Sequence, residues 1–378
     1  MNIVIYDPRH YEMVNVLFRI FSTNDNRFLF FISETIYKKL IASSEHDLKN
    51  HSFVVQKGTE DSVSFFKRCN DALKSFPADI FIFNTIDQDY KAVWKFIKTV
   101  SKPVLVTIHN INTWLKPPFT LNRIALRNYY FRKKIIGKSS GLIVQEELFV
   151  NYIKEKGLYR KQVFTVPHTL KEFRPESTNN QKIIITIPGA IDGVRRDIDL
   201  ALDVIEDIHK RSQKFQFVFA GNVIGHLGEP IWERAMRMQK QGIDIQKAYD
   251  PETNKVFDEQ MKRCDLVFLP LVVNTKYEGI PEIYGTTKVT GVIYDMMRFG
   301  KPGIVPSDMV IPPTMSGSIL SYKTKNELTE MILSFEKDPD VLANLKRNAE
   351  TNSDYYSIEK IRQRVLPEIQ KKLLFLKS

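Results

Sequence analysis

Residues 285–302 bring together the residue types that hold an anion and the signals that start and stop a helix. Thr290 is an N-cap candidate, since its hydroxyl can accept a bond from an otherwise unpaired first-turn N–H. Gly291 lets the backbone approach a ligand closely. The amides of Thr290, Gly291 and Val292, with the helix dipole behind them, suit a phosphate. Lys288 adds a full positive charge two residues earlier, and Asp295 lies one turn into the helix, within reach of sugar hydroxyls. Gly300 ends the helix, Pro302 follows too soon for it to continue, and residues 303–305 read as a short buried strand. The same features also fit an ordinary α/β helix–strand corner with a good cap.

A second group has similar chemistry. Residues 188–197 follow a strand and open a helix, and they contain Gly189, Gly193, Arg195 and Arg196. Backbone amides beside guanidinium groups bind a diphosphate; the competing reading is a loop with surface arginines. Asp192 fits either a site carboxylate or a turn former. Gly221 and Asn222 stand at another strand end. In the first half, Arg9 and His10 follow one strand and His109 and Asn110 another. A histidine there can be a general base, a substrate ligand or a structural residue bonded to a backbone carbonyl. His168, near the middle of the chain, reads as structural.

These residues need a scaffold that collects strand ends. Residues 3–6, 28–32, 53–55, 79–83, 103–108, 141–144 and 163–166 read as strands. Helical spacing separates many of them, over 11–22, 61–75, 90–100, 123–138 and 146–156. The strands are near-continuous apolar runs, as expected of a parallel sheet covered on both faces. A polar stretch at 172–181 breaks the pattern with linker composition. The alternation then restarts, with strands at 183–187, 217–220, 243–245 and 265–270 and helices at 197–210, 233–241 and 254–263. The expected fold is α/β: two doubly wound, Rossmann-like domains facing across a cleft lined by strand C-termini. The boundaries are 1–170, a linker at 171–182, 183–355, and a C-terminal helix at 356–378 that crosses back to the first domain.

Size and composition narrow the class. At 378 residues the chain has room for two domains, and its composition is that of a packed globular protein. No signal peptide or membrane-spanning run is expected. Cys69 and Cys264 are far apart, which suits a reducing compartment, and the seven histidines have no metal-ligand spacing. The formal charge of +11 favours an anionic partner. Arg123, Arg127, Arg132, Lys133, Lys134 and Lys138 occupy one helix without an acid, mixed with Tyr129, Tyr130 and Phe131. That mixture suggests either a solvated face or contact with an anionic membrane surface.

In this order the features resemble a GT-B nucleotide-sugar glycosyltransferase, similar to glycosyltransferase family 4. His109 is similar to the family's strand-end histidine that faces the sugar, and Phe173 and Pro175 resemble its approach to the linker. Residues 189–196 are similar to its glycine loop and basic residue for the donor diphosphate, with Arg196 in the lysine position. Asp295 stands where the family has the glutamate that holds ribose. Three departures stand out: Ala190 replaces an arginine, residues 7–10 replace a glycine-rich loop, and Thr287 replaces a second glutamate. Glu278 or Glu282 is a candidate for that missing carboxylate.

The resemblance implies transfer of a sugar from a nucleotide-diphosphate sugar to a glycan or lipid-linked acceptor, in polysaccharide or glycoconjugate synthesis. His109 and Asp295 are the catalytic candidates. Gly189, Arg195, Arg196, Gly221, Asn222, Lys288, Thr290, Gly291 and Val292 would hold the donor, and Arg9, His10 and Asn110 would lie on the acceptor side. No metal or cofactor beyond the co-substrate is expected. The expected location is cytoplasmic, with peripheral attachment at the inner face of the membrane. A nucleotide-sugar epimerase, a non-catalytic nucleotide-sugar binder and a DNA-binding protein are the alternatives.

Overall fold

The computed structural model describes residues 1–23, 25–42, 48–173, 181–250 and 253–377. Of the expected linker at 171–182, residues 174–180, Pro175 among them, lie outside the described residues. The chain divides into two compact units: Met1–Thr169 with Lys276–Glu282 and Ile358–Ser378, and Leu170–Thr275 with Ile283–Ser357.

The first unit is built on strands β1 (Asn2–Asp7), β2 (Arg27–Ser33), β3 (Ser52–Gln56), β4 (Ile80–Phe83), β5 (Val104–Thr107), β6 (Gly141–Val144) and β7 (Gln162–Thr165). They form one parallel sheet in the order β3-β2-β1-β4-β5-β6-β7. The helices between them are α1 (Tyr11–Phe21), α2 (Glu34–Ala42), α3 (Ser62–Leu73), α4 (Tyr90–Thr99), α5 (Ile111–Leu115), α6 (Arg123–Lys138) and α7 (Glu147–Glu155). Strand β2 shows why the sheet must be covered twice: Phe28, Leu29, Phe30, Phe31 and Ile32 are all buried, so both faces of one strand are apolar. Each such side chain stabilises by about 1.5–3 kcal/mol when fully buried. Asp61 caps α3, accepting from the amides of Val63 and Ser64. Helix α2, which sequence periodicity does not single out, buries only Ile36 and Leu40.

The second unit holds β8 (Ile183–Pro188), α8 (Ile198–His209), β9 (Phe215–Ala220), α9 (Gly225–Lys240), β10 (Ile245–Lys247), α10 (Lys255–Arg263) and β11 (Leu266–Phe268). After a hairpin, β12 (Asn274–Tyr277) and β13 (Ile280–Ile283), come α11 (Gly291–Phe299), β14 (Gly303–Pro306), β15 (Ile319–Tyr322), α12 (Lys325–Lys337) and α13 (Pro339–Ser353). The main sheet is parallel, in the order β10-β9-β8-β11-β14-β15. Helix α9 starts eight residues before the expected position 233, with Gly228 and Pro230 inside its first turns. Gly228 is needed there, because a Cβ would lie 2.2 Å from the Ile191 carbonyl oxygen.

Two more segments complete the first unit. Helix α14 (Ile358–Lys377) sends Arg362 to the carbonyls of Arg19, Ile20 and Ser22, at and just past the C-terminal end of α1. Lys276–Glu282 belongs to the same unit. Its turn, Glu278-Gly279, has φ of 50° and 77°, the left-handed pair that a tight hairpin requires.

This segment corrects the reading of α6 as a uniformly outward basic helix. Arg132 is 2% exposed: it donates to Glu278 at 2.9 Å and to the Thr113 carbonyl at 3.1 Å, and stacks over the Tyr90 ring. Burial of a cation requires such partners, so Arg132 is a core residue. Lys133 and Lys134 are exposed.

Two stability predictions follow from these environments. Arg132→Met should cost about 3 kcal/mol in urea unfolding, the lower end for breaking a buried pair because Glu278 is 31% exposed, while Lys133→Met should stay within about 0.5 kcal/mol. Glu146, just before α7, is buried with its Oε1 unpartnered among the described residues. Burial, and next the charge of Glu147, pushes its carboxyl from 4.5 to about 8. The folded chain therefore keeps a proton that the unfolded chain loses, and stability falls as pH rises from about 4.5 to 8. Glu146→Gln should flatten that part of the melting-temperature profile and leave the variant more stable than the wild type above pH 8.

Candidate functional site

In each main sheet the strand order reverses once, between β1 and β4 and between β8 and β11. Loops leaving the C-terminal ends of the two strands at such a point diverge and leave room for a ligand. Most of the candidate residues lie at these two places.

In the second unit the loops after β8 and β9 are tied together. Gly189 N–H donates to Ala220, Ile191 N–H to Asn222 and Ile224 N–H to Ile191. Gly221 is needed for this approach, because a Cβ there would lie 2.1 Å from the Gly189 carbonyl oxygen. Gly189 itself has φ of 95°, and its missing Cβ would fall 2.0 Å from a guanidinium nitrogen of Arg196. The Arg196 side chain thus lies flat on the glycine loop.

Arg196 is buried, its Nη1 donates to the Ala190 carbonyl at 3.4 Å, and its Nε has no partner among the described residues. Burial lowers its pKa, Arg195 acts in the same direction, and Asp192, Tyr284 and Asp295 oppose them. The backbone around it is set by antiparallel pairing with Leu271 and by Asp197, which caps α8 through the Leu200 amide. Arg195 is different: it is half exposed and donates to Asp192 at 2.5 Å. Asp192 also accepts from the amides of Val194 and Arg195. Asp192 is therefore a turn former, and it holds Arg195 in that turn.

The loop before α11 supplies the other groups. Thr287 is buried and accepts from the Ile283 amide, so the position where a second glutamate was sought locks a turn instead. Gly285, with φ of 82°, passes against the backbone of Val310. Lys288 lies over the Tyr284 ring at 5.9 Å. Thr290 makes no side-chain cap, contrary to the sequence reading; its carbonyl accepts from Ile293 instead. Gly291 has open space where its Cβ would be, and Gly300 ends α11 with φ of 60°. Asp295 acts electrostatically on both Arg196 and Arg298, so the helix carboxylate and the loop guanidinium share one region. Phe173 stacks on Phe299 at 4.8 Å within this unit, beside Lys262 and Arg298.

The first unit places another polar group at its own reversal point. Asp7 ends β1, Asn84 and Thr85 follow β4, His109 and Asn110 follow β5, and Gln145 follows β6. The rings of His10, His109 and His168 form a row, with centroids 5.9 and 5.1 Å apart. His109 Nε2 lies 3.0 Å from the Asn84 carbonyl, an acceptor that requires the proton on Nε2. Gln145 Nε2 donates to the Ile108 carbonyl at 3.1 Å, and Nδ1 of His109 and Nε2 of His168 lie within 3.5 Å of it. Burial, followed by the neighbouring His109 and His10, pushes the His168 imidazole well below its ordinary value. Arg9 is held at the surface by Asp87 and Gln88. Asn110 is buried at the start of α5.

Sequence reasoning missed the use of the two hairpin carboxylates. Glu282 is buried and accepts from the Thr113 amide and hydroxyl, both at 2.8 Å, and Glu278 pairs with Arg132 and accepts from the Tyr90 hydroxyl. Both serve to hold residues 276–282 in the first unit.

No family model matches the sequence, and no curated protein matches it. Solved structures do match over essentially the whole length. Sucrose-phosphate synthase from Thermosynechococcus elongatus aligns over 100% of both chains, with 13% identity and a TM-score of 0.66. HepE from Anabaena, solved with UDP, aligns over 98% of this chain and 100% of its own, with 13% identity and a TM-score of 0.65. A glycosyltransferase from Rickettsia africae aligns over 99% and 98%, with 12% identity and a TM-score of 0.67. Two parallel-sheet α/β units, matched from end to end by glycosyltransferases of one architecture, give this chain the GT-B fold.

Proposed function

We propose that the chain is a glycosyltransferase. It moves a sugar from a nucleotide-diphosphate sugar to a hydroxyl of a glycan or lipid-linked acceptor, in cell-surface polysaccharide or glycoconjugate synthesis. The observation that carries this reading is Arg196 lying across Gly189 and buried without a carboxylate ion-pair partner among the described residues. A buried guanidinium in that position is matched by an anion that the glycine backbone can approach. The resemblance to glycosyltransferase family 4, and the presence of UDP in a similar structure, support a nucleoside diphosphate as that anion.

The chemistry follows from where charge develops. As the bond between the anomeric carbon and the diphosphate breaks, negative charge grows on the leaving oxygen. Arg196, Lys288 and the first-turn amides of α11 stabilise it, which is work a metal ion does in other transferases. Asp295 is suited to the ribose hydroxyls, with Gly221 and Asn222 closing the other side of the loop. In this reading the donor is a co-substrate and no metal is required.

The acceptor side is proposed to work at the inner face of an anionic membrane. Among the described residues no helix is long and apolar enough to cross a membrane. A patch on the first unit instead supports surface attachment. Phe119 and Leu121 are 88% and 85% exposed, and Ile124, Leu126 and Tyr130 are also exposed. They are interspersed with Lys116, Arg123, Arg127, Lys133 and Lys134, and no acidic residue occurs between Asp89 and Glu146. Basic residues near an anionic bilayer contribute about 1 kcal/mol each, and exposed aromatics enter the headgroup layer.

Calorimetry tests the donor site. Arg196→Ala should weaken UDP binding by about 1.5–3 kcal/mol, the strength of a hydrogen bond to a charged group. Unchanged affinity would remove Arg196 from the site. Vesicle co-sedimentation tests the surface. The chain should pellet with anionic but not neutral vesicles and be released by salt, and Arg127, Lys133 and Lys134 changed together to Glu should stay in the supernatant. A wild-type chain that remains soluble at low salt with anionic vesicles points to a soluble acceptor.

A further inference from the structure

We infer that the cavity between α4 and α6 of the first unit binds a phosphomonoester, and that a lipid headgroup of the anionic membrane supplies it. The inference rests on the membrane-attachment reading and deepens it, from a charged surface to a site with a preferred headgroup.

The cavity has a volume of about 300 Å³, and Lys91 and Lys95 of α4 line it together with Arg127, Asn128 and Phe131 of α6. Lys91 and Lys95 are four residues apart on one helix, so they stand on the same side of α4 one turn apart, where like charges repel. Arg127 meets them from the facing helix. None of these three cations forms an ion pair or a side-chain hydrogen bond among the described residues. The lining holds one acid among the described residues, Asp89, which accepts from the Ser62 hydroxyl at 2.5 Å. Arg132 adds no free charge from below: it stacks over the ring of Tyr90, another lining residue, and is neutralised by Glu278. Three cations against one carboxylate leave the cavity with an excess of two positive charges.

The larger cavity at the ends of β2 and β3, about 550 Å³, is charged differently. Its lining carries more acids than cations, Arg9 pairs with Asp87, and Lys38 pairs with Glu34. The excess is therefore particular to the space between α4 and α6.

The partner that such a space lacks is an anion with several acceptor oxygens. Ammonium and guanidinium groups both bind phosphate, and the Asn128 amide offers a further donor. A phosphomonoester carries about −1.5 to −2 at pH 7, which matches the excess, whereas a phosphodiester carries a single charge. The apolar rim points to the source. Val63, on the lining, is 65% exposed, and Ile124 is 64% exposed. Ile124 precedes Arg127 and Asn128 by three and four residues, so it stands on their face of α6, one turn nearer the loop that carries the exposed Phe119 and Leu121. A free phosphomonoester offers these side chains nothing. A lipid holds its phosphate at the level of the cations and its acyl chains below, where exposed apolar side chains enter.

Co-sedimentation of the full chain with two kinds of vesicle tests the site. Phosphatidate vesicles and phosphatidylglycerol vesicles are matched for zeta potential, so a featureless basic surface does not tell them apart. The wild type should bind the phosphatidate vesicles about tenfold more tightly, the worth of roughly one charge-assisted hydrogen bond. Lys91→Gln combined with Lys95→Gln should erase that preference. Lys133→Gln combined with Lys134→Gln should weaken binding to both kinds and keep the ratio. Titration of nitrogen-15-labelled chain with dispersed dioctanoyl phosphatidate and with glycerol 3-phosphate separates the two sources. The lipid should shift the amides of α4 and α6 at lower concentration; equal affinities would overturn the lipid assignment in favour of a free phosphomonoester. Equal binding to both vesicles within about twofold, or a preference that survives the Lys91 and Lys95 changes, overturns the site and leaves membrane attachment standing. A wild type that pellets with neither kind of vesicle ends the attachment reading, and the headgroup assignment with it.

Discussion

Parallel pairing is the constraint on which both units depend. A parallel strand cannot return through a tight turn, so each connection crosses a face of the sheet, and the strands' C-terminal ends all lie along one edge. Where the order reverses, at β1/β4 and at β8/β11, two neighbouring strands send their loops in opposite directions. Asp7, Asn84 and Thr85 gather at one reversal, and Gly189 and Arg196 lie beside the other. Residues that are 77 and 78 apart in sequence share one carboxylate for this reason alone.

The two buried arginines show two answers to the same electrostatic problem. Removing a guanidinium from water is costly unless partners replace the solvent. Arg132 is neutralised in its own unit by a carboxylate, a carbonyl and an aromatic face, and only its Nε is without a partner among the described residues. It behaves as a structural member of α6. Arg196 has one long bond to a carbonyl and a backbone glycine beneath it, with Asp295 acting only through space. A cation left in that condition beside a glycine, with no carboxylate ion pair among the described residues, is suited to recognition of an anion.

Much of the fold was legible in the sequence, because buried parallel strands are nearly continuous apolar runs. The runs at 28–32 and 79–83 locate β2 and β4 to within a residue or two. Gly300 as the end of α11 was legible too, since the left-handed conformation it adopts favours glycine. Helix α2 was not, because two buried side chains are too few to give a helical period. The hairpin at 274–283 was missed since its turn is Glu-Gly rather than the usual Asn-Gly or Asp-Gly, and Pro281 argues against a strand.

The sequence by itself determined the types of chemistry available: glycines and arginines at strand-to-helix corners, histidines at strand ends, and an excess of positive charge. Tertiary structure decided what surrounds each of them. Whether an arginine of α6 faces water or core depends on a glutamate 146 residues away. Whether a histidine presents an accepting nitrogen depends on what its other nitrogen meets: a hydroxyl 75 residues away for His10, a carbonyl 25 residues away for His109. Local sequence carries propensity and period, but hydrogen-bond direction and burial are properties of neighbours that only folding brings together.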